Sequence, residues 1–246
     1  MAKNARKAKR ANRPNPRVDR NHDNVIPISS FQRKKTVEII PRSINQDDFL
    51  TYLEDDDVNI AFGIGPAGSG KTLLATLMAI KMFKAGEIDK IVITRPNVAV
   101  DDRDIGFLPG GILDKMGPWV RPIIDIFEEY YSPAEIEKMV EEGVLEICPI
   151  AYIRGRTFKN AWILIDEAQG TSQNSMLSIL TRIGENSKMV VTGDIKQTDI
   201  GAKNGLSDFL ARFDGSSDRI KITKFDSGDV ERHPVVKDIL KLYGDE

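Results

Sequence analysis

The chain has 246 residues, of which 41% are hydrophobic, and a net charge of −2 at pH 7. This length fits one domain or two small ones, and the composition is sufficient for a hydrophobic core. The absence of any run of 18 apolar residues argues against a membrane-spanning helix, and a single cysteine, Cys148, excludes an intrachain disulfide and favours a reducing, cytoplasmic location.

Positive charge is concentrated near residue 1. Residues 1–20 carry eight Lys or Arg and one Asp, so the rest of the chain has a net charge of −9. Residues 1–35 are polar and show no sustained hydrophobic period, which predicts a disordered basic arm. Such an arm could contact RNA, DNA or another acidic surface, or it could serve only as a solubilising leader.

Two short elements are predicted before the first core strand. Alternating residues over 35–40 indicate a strand, and residues 43–53, with Ser43 as the cap, indicate a helix. Gln46 lies in the first turn of this helix, where its amide could bind the adenine edge of a nucleotide. A solvated polar residue is the alternative interpretation.

A phosphate-binding loop is predicted between a buried strand over 58–63 and an apolar helix over 72–84. The sequence Gly65-Pro-Ala-Gly-Ser-Gly-Lys-Thr72 fits the pattern G-x-x-x-x-G-K-[ST]. Backbone N–H groups of the loop and the helix N-terminus would hold phosphate, Lys71 would reach the β- and γ-phosphates, and the Thr72 hydroxyl would bind Mg²⁺. The sequence therefore predicts ATP and Mg²⁺ as ligands, held by Gly65, Pro66, Ala67, Gly68, Ser69, Gly70, Lys71 and Thr72 together with Gln46.

The next segment predicts a second strand and a long irregular loop. The β-branched run 90–94 is typical of a strand buried on both faces of a parallel sheet, and Arg95 follows at the edge where such sheets bind ligands. Residues 101–119 are rich in Gly and Pro, which indicates a loop. Helices over 119–131 and 132–142 and a short strand over 144–147 follow, and then Arg154 and Arg156 form a basic cluster.

A second acidic motif closes the predicted site. The apolar strand 161–165 ends in Asp166-Glu167, which after a phosphate-binding loop suggests Asp166 at Mg²⁺ and Glu167 polarising the attacking water. A further strand over 188–193 leads to Gln197, which could meet the γ-phosphate. Helices over 171–183, 204–213 and 233–243 and a strand over 220–225 complete an α/β fold with a mainly parallel sheet flanked by helices.

In this order the motifs resemble those of the PhoH-like family of P-loop ATPases, a branch close to the superfamily 1 helicases. The resemblance covers about residues 40–243 and implies a single RecA-like domain over 36–246. It also implies nucleic-acid contacts by Thr94 and Arg95, a γ-phosphate sensor at Gln197 and an arginine finger at Arg232. The motifs that carry it are residues 65–72, Thr94-Arg-Pro96, Gly106-Phe-Leu-Pro-Gly110, Arg154-Gly-Arg-Thr-Phe158, Ile165-Asp-Glu-Ala-Gln169, Thr192-Gly-Asp-Ile-Lys-Gln197 and Val230-Glu-Arg-His-Pro234.

One RecA-like core is expected to need a partner subunit. Superfamily 1 helicases place ATP between two such domains, the second of which supplies an arginine. We therefore expect a ring, by family resemblance a homo-hexamer, in which Arg232 faces the ATP of the next subunit. The stretch before the core is too short for the nuclease or RNA-binding module of some family members, so a built-in nuclease is not expected.

Three functional hypotheses remain open at this point. The first is an ATPase of the helicase type that acts on RNA or single-stranded DNA, although a core charge of −9 weakens nonspecific binding to phosphates. The alternative is an ATP-dependent switch or scaffold that acts on a protein partner, and a small-molecule kinase is disfavoured because the Asp-Glu pair suits water activation. Candidate nucleic-acid contacts are Arg95, Arg103, Lys115, Arg121, Arg154, Arg156 and Lys159.

Overall fold

The computed structural model describes residues 35–96, 112–197 and 204–231 together with Val235 and Leu242, and of residues 112–118 it describes the backbone alone. The chain divides into two units, residues 1–34 and 35–246, and the fold below is that of the second. The predicted basic arm over residues 1–34, most of the predicted loop and most of the closing helix lie outside the described residues. The division into an arm over 1–35 and a domain over 36–246 stays a prediction.

Helices and strands are interspersed along the described chain, as the sequence predicts for an α/β fold. The strands are β1 (Ile60–Ile64), β2 (Lys90–Thr94), β3 (Leu145–Ile147), β4 (Ala161–Ile165), β5 (Lys188–Gly193) and β6 (Ile220–Lys224). The helices are α1 (Ile44–Glu54), α2 (Lys71–Ala85), α3 (Ile112–Glu128), α4 (Pro133–Glu141), α5 (Gln173–Leu180) and α6 (Gly205–Arg212).

The described strands form one parallel sheet in the order β3-β2-β4-β5-β1-β6. Strand β1, which leads into the phosphate-binding loop, lies between β5 and β6. Strand β4, which carries the acidic pair at its end, lies between β2 and β5. Because all these strands run in one direction, their carboxyl ends share one edge of the sheet, and the predicted α/β fold with a mainly parallel sheet flanked by helices is confirmed.

Both faces of the sheet are covered by apolar side chains. One core cluster joins Phe49, Leu74 and Trp162 with residues of α3 and α4, and the other joins Phe62 and Leu206 with residues of α5. The continuous apolar strands follow from this burial, because a strand covered on both faces exposes no side chain to water. Among the described helices, none is both long and apolar enough to cross a membrane.

Two elements differ from the predictions. Residues 35–40 form no strand: Val37 and Ile39 pack against the core while Glu38 and Ile40 face solvent, so burial alternates without a pairing strand. Helix α3 begins at Ile112, within the predicted irregular loop, and runs on to Glu128. Burial of Val120, Ile123 and Phe127 at helical spacing favours this helix despite the low helix propensity of its Gly and Pro residues.

Candidate nucleotide-binding site

The predicted phosphate-binding loop connects β1 to α2. Gly65 has φ of +152°, and a Cβ atom there would lie 2.4 Å from the backbone oxygen of Phe225. Gly70 has φ of +85° and caps α2 without any side-chain hydrogen bond, so the first N–H groups of the helix are open to a ligand. Such a loop could bind an anion, and the predicted binding of phosphate by these residues stays a prediction.

Lys71 lies within the loop and is buried. Its ammonium donates to the backbone oxygens of Gly65 and Pro66 at 2.8 and 2.7 Å and to the Ser69 hydroxyl at 3.0 Å. Burial lowers the pKa of Lys71, and the carboxylates of Asp194 and nearby acids oppose this by raising it. Binding of a phosphate would exchange these neutral acceptors for a charged one, which strengthens each hydrogen bond.

Gln46 holds the loop from the side of α1. Its Nε2 donates to the Ser69 backbone oxygen at 3.1 Å, its Oε1 accepts from the Arg42 N–H at 2.9 Å, and the side chain lies against Gly70. The amide is buried rather than solvated. In this structure it is bonded to backbone groups at both ends, so contact with an adenine edge would require it to exchange one of these bonds.

The two residues predicted to hold Mg²⁺ are in direct contact. The Thr72 hydroxyl donates to Asp166 Oδ1 at 2.7 Å, and the Thr192 hydroxyl donates to the same oxygen at 2.7 Å. Hydroxyl and carboxylate oxygens are the ligands that Mg²⁺ prefers, so this pair fits the ion. No cluster of three or more metal-binding side chains occurs in the part of the chain that the structure describes, so further ligands would come from phosphate and water.

Glu167 is held by two neighbouring side chains. Its backbone is left-handed, with φ of 56° and ψ of 41°, which is uncommon for a residue other than glycine. Arg95 Nη2 lies 3.1 Å from Glu167 Oε1, and Gln169 Nε2 donates to Glu167 Oε2. Gln169 also accepts from the Asp194 N–H at 3.0 Å, so it links Glu167 to the turn after β5.

One cleft at the carboxyl edge of the sheet brings together three of the predicted catalytic residues, Lys71, Glu167 and Gln197. Gln197, in the turn after β5, faces the same space as the loop and the acidic pair. A second cleft shares Gly68, Gly70 and Leu73 with the first and extends between residues 38–42 and α2. The first cleft is lined by Ala67, Gly68, Gly70, Lys71, Thr72, Leu73, Asp166, Glu167, Gly193, Asp194 and Gln197.

The predicted nucleic-acid contacts are not equally accessible. Thr94 is fully buried, and its hydroxyl has no hydrogen-bond partner among the described residues. Arg156 forms an ion pair with Glu146 and stacks on Phe158, whereas Arg154 is exposed near Ser175. Among the wider candidates, Arg121 and Lys159 form surface ion pairs, while Arg103 and the side chain of Lys115 lie outside the described residues.

The predicted arginine finger, Arg232, also lies outside the described residues. The preceding residue, Glu231, is described: its N–H donates to the Gly68 backbone oxygen at 3.1 Å, and its carboxylate pairs with Arg42. Nearby, Asn45 donates to Asp229 at 2.8 Å. The segment that leads to Arg232 is therefore attached to the phosphate-binding loop and to α1.

Two site residues, Gln169 and Thr192, were not assigned a role from sequence. Gln169 and Thr192 lie inside quoted motifs, so their positions next to Asp166-Glu167 and at the end of β5 were an available signal. The contact between Arg95 and Glu167 had no such signal, because it depends on how two strand ends face each other.

Comparison with known proteins identifies the family of the chain. Residues 38–244 match the family model described as PhoH-like protein. A PhoH-like protein of Bacillus subtilis is 40% identical over 221 residues, which are 88% of this chain and 66% of that protein. A PhoH-like protein of Mycobacterium tuberculosis is 41% identical over 215 residues, which are 86% of this chain and 59% of that protein.

These matches show the family but leave part of each relative uncovered, because the chain spans less than two thirds of their length. Among solved structures, a DUF1998 helicase bound to DNA covers 74% of this chain and 25% of its own, with 14% identity and a TM-score of 0.44. Similarity at that level supports no argument about function. The family match spans most of the chain and includes every described site residue, and the chain therefore belongs to the PhoH-like family.

Proposed function

We propose that the chain hydrolyses ATP to ADP and phosphate in the cleft at the carboxyl edge of the sheet. The observation that carries this proposal is the convergence of Lys71, Thr72, Asp166, Glu167 and Gln197 on one space. A cation, a hydroxyl, two carboxylates and an amide are the groups that phosphoryl transfer to water requires. Their positions on rigid strand and helix ends hold them in fixed geometry.

Each of these groups has a separate role in the proposal. The loop N–H groups and Lys71 bind the phosphates, and Glu167 accepts a proton from the attacking water. Gln197 contacts the γ-phosphate from the turn after β5. Thr72 and Asp166 would hold Mg²⁺, whose positive charge would stabilise the phosphate oxygens.

The base of the nucleotide is proposed to lie in the second cleft. Ile39, Ile40 and Leu77 give this cleft an apolar surface, and it begins at the same glycines that end the phosphate site. Gln46 lies at the junction, where it supports the loop. A flat apolar ring would fit between residues 38–42 and α2 and leave the phosphates beside Lys71.

The proposed partner is single-stranded nucleic acid, either RNA or DNA. Arg95 lies at the end of β2 beside Glu167, and exposed Arg154 follows β3, so basic groups lie at the edge that holds the cleft. Local positive charge of this kind can bind phosphates even though the core has a net negative charge. Remodelling of such a strand, as by a helicase, is the activity proposed to be coupled to hydrolysis.

A ring of identical subunits is proposed to complete the site. One RecA-like domain exposes the nucleotide on one side, and Arg232 of a neighbouring subunit would supply the missing positive charge. An arginine finger contributes about 10³ to 10⁵ in rate where it has been measured. Arg232→Ala should lower turnover strongly, and native mass measurement should show a hexamer; unchanged turnover and assembly would contradict this role.

Steady-state ATP hydrolysis tests the proposal as a whole. The purified protein is assayed with and without single-stranded RNA and DNA at two salt concentrations, and Lys71→Ala serves as the blank. We expect hydrolysis above the blank and stimulation by a polymer that weakens as salt rises. No hydrolysis above the blank would contradict the ATPase. Hydrolysis that ignores both polymers would favour the alternative, an ATP-dependent switch that acts on a protein partner.

A further inference from the structure

The contact between Arg95 and Glu167 joins two parts of the proposed site that have different tasks. Arg95 follows β2, in the segment proposed to contact nucleic acid, and Glu167 follows β4 and is proposed to activate water. Their side chains are 3.1 Å apart, and the exposed fractions are 23% for Arg95 and 39% for Glu167. The pair is therefore close enough for a charge-assisted hydrogen bond and open enough to be disrupted by a ligand.

Glu167 uses both of its oxygens in its present contacts. Oε1 faces Arg95, and Oε2 accepts from Gln169, which is itself bonded to the turn at Asp194. A general base must accept a hydrogen bond from the water that it activates. The arginine competes for the same negative charge, so the pair in this arrangement opposes the proposed role of Glu167.

The guanidinium of Arg95 is only partly satisfied. Its Nη1 donates to the Trp119 backbone oxygen, but its Nε is buried without a hydrogen-bond partner among the described residues. Nε lies 4.0 Å from Asp166 Oδ2, which is within ion-pair range only. A buried N–H group without a partner raises the free energy of this arrangement, so a ligand that accepts a hydrogen bond from Nε would favour a different position of the side chain.

A phosphodiester could accept hydrogen bonds from both Nε–H and Nη2–H of Arg95. The Glu167 carboxylate faces only Nη2. The Nε–H and Nη2–H groups point in parallel, and a phosphate group presents two oxygens at matching spacing. The carboxylates of Asp166 and Glu167 repel a phosphate, so this bond would form with the guanidinium turned away from them. Binding of the polymer backbone would then break the contact with Glu167.

We propose that Arg95 is a positioning residue that restrains Glu167 until a phosphodiester of a bound single strand takes its place. The inference rests on the proposed ATPase function and assigns it a form of regulation. RNA and single-stranded DNA share this backbone chemistry. Hydrolysis should consequently respond to the charge of the backbone rather than to its bases.

The test compares Arg95→Gln, Arg95→Lys and wild type in steady-state ATP hydrolysis without polymer and with RNA or DNA strands of one sequence. Arg95→Gln should raise the basal kcat about tenfold, which corresponds to about 1.4 kcal/mol, leave the KM for ATP nearly unchanged and abolish stimulation. Arg95→Lys keeps a positive charge and should retain a low basal rate. Arg212→Gln, which breaks a surface pair with Asp208, is the matched control and should behave as wild type.

Several outcomes would overturn the inference while leaving the ATPase in place. They are a basal kcat of Arg95→Gln at or below wild type, stimulation that survives in this variant, or equal stimulation by an oligonucleotide with uncharged methylphosphonate linkages. If Arg95→Gln does not fold, the basal rate of wild type decides, because salt weakens a partly exposed ion pair. The basal rate of wild type should rise when the KCl concentration is increased from about 0.05 M to about 0.5 M. A basal rate that stays constant or falls would contradict the proposed restraint of Glu167 by Arg95. A wild-type rate no higher than that of Lys71→Ala would instead contradict the proposed function.

Discussion

Replacement of Gln46 by alanine tests how the phosphate-binding loop is held. The amide makes two hydrogen bonds to backbone groups, one to Ser69 in the loop at 3.1 Å and one from Arg42 at 2.9 Å, and it is only 5% exposed. Each lost bond costs about 1 kcal/mol, so the free energy of unfolding should fall by about 2 kcal/mol. Loss of the hydrogen bond to the Ser69 backbone oxygen, about half of this free energy, should weaken phosphate binding about fivefold.

Competition against a fluorescent ATP analogue separates the two roles considered for Gln46. If the amide supports the loop, Gln46→Ala should weaken the binding of ATP and the binding of inorganic tripolyphosphate by the same factor. Tripolyphosphate has no base, so it cannot report a contact between Gln46 and adenine. Gln173→Ala, which removes a glutamine bonded to Asp208 on the surface, should change neither affinity. Weaker binding of ATP alone would show that the amide binds adenine, and unchanged binding of both ligands would refute the reasoning.

Three stability predictions follow from buried contacts. Hydrogen bonds from Arg156 lower the pKa of Glu146 from 4.5 to about 2. The contribution of this carboxylate to the free energy of unfolding is therefore complete above pH 4.5 and is lost as the pH falls towards 2. Over this pH range the free energy of unfolding of wild type should fall by about 3 kcal/mol because of Glu146. Urea unfolding at several pH values should show this loss in wild type and not in Glu146→Gln. Gly65→Ala places a methyl group against the Phe225 backbone oxygen and should lower the melting temperature and weaken ATP binding. An unchanged melting temperature and ATP affinity would contradict the close approach of Gly65 to Phe225. Lys188→Met removes hydrogen bonds to three backbone oxygens at the end of α1 and should destabilise by about 2 kcal/mol in urea, whereas equal stability would show that these carbonyls are hydrated without it.

The position of the predicted phosphate-binding loop, between β1 and α2, could be derived from the sequence because its geometry is local. Residues 65–72 are consecutive, and the strand before them and the helix after them fix where the loop N–H groups point. Asp166 and Gln197 could also be placed, since the carboxyl ends of parallel strands share one edge of the sheet. Only the strand order, with β5 between β1 and β4, had to come from the structure.

Side-chain pairing between distant segments could not be predicted in the same way. Gln46 and Ser69 are 23 residues apart, and their contact depends on the angle at which α1 crosses the loop. The pairing of Arg95 with Glu167 depends on the left-handed backbone of Glu167, which no propensity of glutamate indicates. Helix α3 was missed from Ile112 to residue 118 because tertiary packing outweighs the low propensity of Gly and Pro.

Single-turnover hydrolysis of labelled ATP by Glu167→Gln tests the central claim most directly. The substitution keeps the size of the side chain and removes the charge that would take a proton from water. We expect wild-type affinity for ATP and a hydrolysis rate lower by about 10² to 10⁴. A variant that hydrolyses ATP at the wild-type rate, or that no longer binds it, would contradict the assignment of Glu167 and of this cleft as the place where ATP is cleaved.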